Sequence, residues 1–274
     1  MRIASLAPSV TMQLQELGVA DQIVACTTLC PLPRSARLRL AVGTFSVLQE
    51  EKIAAARPDL VVTATLVQAK GAARLKTAGY NVLHLDPRRL KEIAESYVVL
   101  GEAVGKRKEG EELKEKFIAR LENPPPAPPL SRRGVRVYME EWYEPPFVAG
   151  NWVPDLVAIA GGEAVLIELS QPSREISLEE LQVADPDVVV QHACLPPLMP
   201  EATEKDHTQR ERHRHVMLER LKARPGWDAL RAVRTGRVYS LDDTPFNMPT
   251  MGVLKGIEML REVFSLSLNK EGVR

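Results

Sequence analysis

The sequence is short of aromatic residues, of cysteine and of any charge imbalance, and each shortage removes a class of protein. Lysine plus arginine number 36 against 36 aspartate plus glutamate, so the 274 residues carry no formal bias toward nucleic acid or a membrane surface. No apolar run approaches the ~20 residues of a membrane-spanning helix, so no membrane insertion is expected. The three cysteines, Cys26, Cys30 and Cys194, are odd in number, which disfavours a pure disulfide framework and favours a reducing compartment. Residues 1–8 show neither the apolar core nor the cleavage site of a secretion signal. The chain therefore reads as cytoplasmic as it stands, or as periplasmic or cell-surface if it is a trimmed mature form. G-x-G-x-x-G, phosphate-loop, H-E-x-x-H and G-x-S-x-G motifs are all missing. With them goes the basis for nucleotide-dependent and common hydrolytic chemistry. No catalytic residue is assigned, and the expectation is a protein that is not an enzyme.

What is present is a phrase said twice. Glu51 to Val62 runs as a short helix, Pro58-Asp59 and a β-branched run, and the pattern returns from Glu179 through Pro186-Asp187 to Val190, 128 positions on. Proline stops the helix, and the valine run suits a parallel strand buried on both faces. Two copies point to two similar α/β lobes, with a cleft between them as the place for a small ligand. Strands at 2–6, 23–27, 60–63 and 80–85 alternate with helices at 10–17, 50–56 and 69–78, with Ser9 as N-cap and Gly18 as stop of the first helix. Apolar residues recur at helical spacing over 90–122, a stretch that would span ~50 Å as one helix, with Gly105 and Gly110 as break points. A proline-rich run at 124–129 follows. The expected division is 1–89 for the first lobe, 90–129 for the connection and 130–274 for the second lobe. That lobe is expected to carry strands at 135–139, 188–191 and 237–241, and to close with an amphipathic helix at 251–264.

Aromatics make up only 5% of the chain, yet Trp142, Tyr143, Phe147 and Trp152 crowd into eleven residues between Glu141 and Pro154. This loop leaves the C-terminal end of the second lobe's first strand, the edge where α/β sheets collect ligands. Prolines stiffen it and Gly150 permits close backbone approach. Rings held on a stiff loop bind a flat, partly apolar molecule at little ordering cost; otherwise they cover the sheet end as core. Phe45 and Phe246 are candidates for an opposing wall, and His192 lies beside Cys194 at a strand end. Metal binding is not expected. Cys26 and Cys30 lack the four ligands of a structural zinc site. The face formed by Glu204, His207, Glu211 and His215 is flanked by Arg210, Arg212 and Arg214, which oppose a cation.

Several short motifs resemble one family across nearly the whole chain. They are Ser5-Leu6-Ala7-Pro8-Ser9-x-Thr11, Val42-Gly43-Thr44-Phe45, Pro58-Asp59-Leu60-Val61, Pro145-Pro146-Phe147-Val148-Ala149-Gly150, Arg224-Pro225-Gly226-Trp227 and Gly236-Arg237-Val238-Tyr239. They are similar to the rigid-helix (class III) substrate-binding proteins of ABC importers, which bind vitamin B12, ferric siderophores or haem; the aromatic loop is most similar to the cobalamin-binding branch. The resemblance implies two Rossmann-like α/β lobes with parallel sheets, joined by a single long α-helix. It implies a non-catalytic protein that holds a corrinoid as ligand and partners an ABC transporter permease, with no nucleic acid. Phe45 and Phe147 match positions that line the corrin pocket, and Trp152 is the next contact. Pro8, Ser9, Trp142, Tyr143, Gly150, His192 and Phe246 complete the expected ligand set. Glu51 and Glu179 match a pair of surface glutamates that dock onto transporter arginines. Thr65 stands where the family often has an aromatic residue. The alternatives are the same fold binding haem or a ferric siderophore, and an intracellular metal-handling protein.

Overall fold

The computed structural model of the chain describes residues 1–123, 134–192 and 198–269; the proline run at 124–129 and Cys194 lie outside them. The chain divides into two compact units. One holds Met1–Pro87 with Lys91–Lys116, and the other holds Arg88–Leu90 with the chain from Phe117 onward, apart from a segment ending at Asp206 that groups with the first.

The first unit alternates strands and helices. In chain order it contains β1 (Ile3–Ser5), α1 (Pro8–Glu16), β2 (Ile23–Cys26), α2 (Arg34–Leu40), α3 (Glu50–Ala56), β3 (Leu60–Ala64), α4 (Thr65–Thr77) and β4 (Val82–Leu85). The strands form a wholly parallel sheet in the order β2-β1-β3-β4. Successive side chains point to opposite faces, and helices cover both. Ile3 and Val62 pack with Val10, Leu14 and Leu17 of α1 on one side, and Ala4 and Val61 pack with Ile53 and Leu75 on the other. The first helix begins two residues earlier than expected. Ala7, extended at φ −133°, is its N-cap, and Pro8 fills the first turn, where its missing N–H costs nothing. Ser9 is therefore inside the helix and does not cap it.

The connection departs from the single rod expected of it. Residues 90–122 form two helices, α5 (Leu90–Ala103) and α6 (Arg107–Glu122), broken where Gly105 turns left-handed at φ +73°. α6 folds back on α5: Lys114 pairs with Glu95 at 2.5 Å, and Gly110 lies so close to the Tyr97 carbonyl that a side chain would not fit. The boundary between the units falls inside α6, after Lys116. With 16 residues this helix is ~24 Å long, about half the expected rod.

The second unit contains β5 (Val135–Trp142), β6 (Phe147–Val148), α7 (Val153–Ile159), β7 (Gly162–Ala164), β8 (Arg174–Glu175), α8 (Leu178–Ala184) and β9 (Val188–Gln191). After these come α9 (Glu204–Lys222), α10 (Arg231–Arg234), β10 (Val238–Ser240), α11 (Thr244–Asn247) and α12 (Leu254–Asn269). Its sheet runs β10-β9-β5-β6-β8, with β7 on the first half of β5. β10, β9, β5 and β7 are parallel as expected, but β6 and β8 are antiparallel, so this sheet is mixed. For β6 the reason is local: a tight turn after Trp142 returns the chain beside β5, and a short return can only be antiparallel. Val253, Ile257, Leu260 and Phe264, the expected apolar face, are all buried.

The repeated phrase is repeated in three dimensions. α3 and α8 both end on a left-handed residue, Arg57 at φ 44° and Asp185 at φ 36°, each 128 positions from its counterpart. The aspartate of each Pro-Asp then accepts a hydrogen bond from a residue at the start of its unit's leading strand: Asp59 from the Arg2 N–H just before β1 at 2.7 Å, and Asp187 from the Arg136 N–H, second in β5, at 2.9 Å. The same two arginines return their guanidinium groups to the helix end, Arg2 to the Ala56 carbonyl and Arg136 to the Ala184 carbonyl, both at 2.6 Å. Each helix C-terminus thus has its unpaired carbonyl satisfied by a cation, as the helix dipole favours.

Candidate ligand site

In the second unit the aromatic loop grows out of a buried ion pair. Glu140, two residues before the end of β5, has no exposed surface and is held by Arg224 in a two-pronged contact of 2.7 and 3.1 Å. Gln191 donates to the same carboxylate at 3.1 Å and Tyr138 at 3.3 Å. Burial pushes the Glu140 carboxyl up from the ordinary range, and these donors, Arg224 foremost, oppose it. Arg224 also donates to the Tyr143 carbonyl at 2.7 Å and lies between two rings, 4.1 Å from the centre of Tyr143 and 4.2 Å from that of Trp227. One arginine therefore fixes where the loop leaves the sheet.

Beyond that point register does the positioning. Trp142 of β5 stands opposite Phe147 of β6, and Phe147 opposite Glu175 of β8. Residues directly opposed across antiparallel strands share a face, so the two rings and the carboxylate form one row. Trp142 is half exposed, with its indole N–H donated to the Glu144 carbonyl at 3.0 Å; Phe147 is half-buried. Glu141, Trp142, Pro145, Phe147 and Glu175 line a hollow of about 440 Å³, within the range of small-molecule sites. Ser173 donates to Glu141, whose carboxyl is pushed up by burial and held back by that bond.

The other expected residues of this unit lie inside it. Trp152 is the N-cap of α7 and is buried. Gly150 is buried too; its N–H bonds to Ser173 Oγ at 3.0 Å, and the space a side chain would need is filled by the backbone of residues 171–173. The close approach that this glycine permits is by its own chain. His192 has no exposed surface: its ring packs on Phe246 with 4.9 Å between centres, and Nδ1 pairs with Asn247 Oδ1 at 3.1 Å. Burial lowers its pKa to about 4, so the ring is neutral at physiological pH. Phe246 is likewise core.

In the first unit, the loops at the C-terminal edge of the sheet are tied by a residue that the sequence reading did not single out. Gln68, buried, donates to the Leu6 carbonyl at 2.6 Å and to the Phe45 carbonyl at 2.9 Å, and accepts from the Ala64 N–H at 2.9 Å. Phe45 itself is half-buried in a tight turn, where Gly43 at φ +132° lets Thr44 bond to Val47. Pro8 is half-buried and Ser9 buried at the start of α1. Thr65 takes a left-handed conformation at φ 64°, which is strained for a β-branched residue. Directly after it, Leu66 and Val67 are more than half exposed, as is Val47. Only their exposure, which no periodicity records, marks these aliphatic groups as available.

Glu51 and Glu179 are exposed at the starts of α3 and α8. In each helix the neighbouring glutamate is engaged, Glu50 with Arg74 at 3.2 Å and Glu180 with Arg174 at 2.9 Å. Cys26 and Cys30 are buried free thiols. Glu204, His207, Glu211 and His215 are exposed on α9, and among the described residues no group of three or more His, Cys, Asp or Glu is arranged to hold a metal ion.

Two α/β units of one design, with loops gathered at the C-terminal ends of their parallel strands, are the architecture of a solute-binding protein. The chain belongs to the periplasmic binding protein family, whose pattern matches residues 3–245. The vitamin B12-binding protein of Vibrio cholerae is 24% identical over 266 residues, covering 94% of this chain and 87% of that relative. The crystal structure of the periplasmic vitamin B12 binding protein BtuF of Vibrio cholerae shares the fold with a TM-score of 0.72 at 22% identity, over 97% of each chain. That of S. aureus IsdE complexed with heme gives 0.75 at 18% identity, over 96% of this chain and 99% of the other. No helix among the described residues is long and apolar enough to cross a membrane.

Proposed function

We propose that this chain is a non-catalytic corrinoid-binding protein that hands its ligand to an ABC transporter permease, which requires the mature protein outside the cytoplasm. The observation that carries the reading is the row of Trp142 and Phe147, exposed or half-exposed on paired strands beside the 440 Å³ hollow. Large rings held in place without ordering cost suit the face and rim of a macrocycle. Phe45, Pro8 and Ser9 are proposed as contacts from the first unit, joined by the exposed Leu66 and Val67. Relatives that bind vitamin B12 support the choice of ligand. Haem is the second reading, supported by the likeness to IsdE. It is the weaker one because His192 is buried against Phe246 and Tyr143 is covered by Arg224, which leaves neither poised as an iron ligand.

Titration with cyanocobalamin, haem and a ferric siderophore, read by tryptophan quenching with matched optical controls, tests the proposal. Saturable quenching by cyanocobalamin is expected, with affinity about 10- to 100-fold lower in Phe147→Ala, as the loss of ~1.5–3 kcal/mol of ring burial predicts. Saturation by haem alone, or affinity untouched in both Phe147→Ala and Trp142→Ala, overturns it.

A further inference from the structure

The rings explain why a flat molecule binds, but not which one, and the charges around them do. The run from Glu140 to Pro154 contains Glu140, Glu141 and Glu144 and no basic residue. Glu140 is spent on Arg224 behind the loop. Glu141 and Glu175 line the hollow, and among the described residues no lysine, arginine or histidine does. The nearest arginine in sequence, Arg174, pairs across the strands with Val148, one row away from Phe147 and Glu175. Its guanidinium is committed to Glu180 at 2.9 Å and to the Leu166 and Glu175 carbonyls at 3.0 and 3.1 Å, and makes no ion pair with the Glu175 carboxylate.

Resting on the corrinoid reading, we infer that Glu141 and Glu175 are specificity-determining residues that accept hydrogen bonds from N–H groups on a macrocycle's rim and repel rims bearing carboxylates. A carboxylate only accepts, so it matches the carboxamide arms of a corrin and finds no donor in an ionised propionate. Two like charges a few ångströms apart in a partly dry hollow cost enough to reject the wrong ligand. Ser173 holds Glu141 in place, and the β6–β8 register holds Glu175 on the ring face, so neither must be ordered on binding.

The test compares cyanocobalamin with its monocarboxylic acid, in which one peripheral amide is hydrolysed, on the wild type, Glu175→Gln and Glu141→Gln/Glu175→Gln. Glu175 is exposed, so its substitution leaves folding intact. The wild type is expected to prefer the amide about tenfold, a ratio that added salt reduces. It should fall toward one in Glu175→Gln and further in the double variant. A ratio that is already near one in the wild type, or that survives in both variants, overturns the inference and leaves corrinoid binding standing. If no corrinoid binds, the functional reading fails separately, and haem against its neutral dimethyl ester decides the inference. Preference for the ester that disappears in Glu175→Gln sustains it, and equal binding ends it.

Discussion

Asp187 accepts the backbone N–H of Arg136 at 2.9 Å while the guanidinium of Arg136 reaches the Ala184 carbonyl at 2.6 Å, so one residue pair closes both a strand start and a helix end. Asp59 and Arg2 do the same in the first unit. Asp187→Ala and Arg136→Ala should each lower stability by ~1–2 kcal/mol, the worth of a charge-assisted hydrogen bond. Alanine at 136 keeps the backbone N–H that Asp187 accepts, and Asp187 does not touch the guanidinium, so the double variant should lose about the sum. Urea denaturation of all four proteins measures this, and a double variant that loses much less than the sum would show that the two bonds are not made independently.

Arg224 is expected to matter more than any other side chain of the aromatic loop. Arg224→Ala leaves Glu140 buried without its cation and should cost ~3–5 kcal/mol. Arg224→Lys keeps the charge but loses the fork and the stacking between Tyr143 and Trp227, so it should rescue only part. Both variants should also weaken ligand binding, since the loop leaves the sheet at this point. Full rescue by lysine in urea melts would contradict the role given to the planar fork.

His192 makes stability depend on pH in a defined window. Its folded pKa of about 4 lies below the ~6.5 of an unfolded histidine, so between those values the unfolded chain binds more protons. Stability contributed by the neutral buried ring is complete above pH ~6.5 and is lost as the pH falls toward 4, by up to ~3 kcal/mol. His192→Gln cannot titrate, so the gap between wild type and variant should narrow over that interval. A gap that stays constant from pH 7.5 to 4.5 in chemical denaturation would remove His192 from the account.

Glu51 and Glu179 are predicted to be neutral for folding and decisive for docking. Both are exposed, and reversing them to lysine should change stability by less than ~0.5 kcal/mol beyond their contribution to the helix ends. Ligand affinity should not move. Association with a transporter permease in a pull-down should be lost in the double variant, and retained binding would reject the docking role.

Much of this was legible in the chain because it is local. Pro58 and Pro186 stop their helices wherever they occur, and a run such as Val188-Val189-Val190 reads as a buried parallel strand. Gly105 is visible as a break point, but that the chain turns there and does not continue as one helix depends on the packing of α6 at Gly110 against Tyr97 of α5. The aromatic loop was conspicuous, but which rings face outward was not. Trp152 and Phe246 are as apolar as Trp142 and Phe147, and nothing in their neighbours says that one pair caps a helix or packs on His192 while the other lines a hollow. The roles of Gln68 and Arg224 are hidden for the same reason, since apart from Ala64 the hydrogen-bond partners of their side chains lie 23 to 84 residues away.

By itself the sequence determined the α/β alternation, the duplicated helix-turn-strand and the identity of the loop that carries the rings, because those follow from propensity and periodicity over a few residues. Only the tertiary structure decided that β8 pairs with β6, and with it that Glu175 joins the row of Trp142 and Phe147. Strand register is a long-range choice, made by packing and by the Glu140–Arg224 pair that no stretch of neighbouring residues contains.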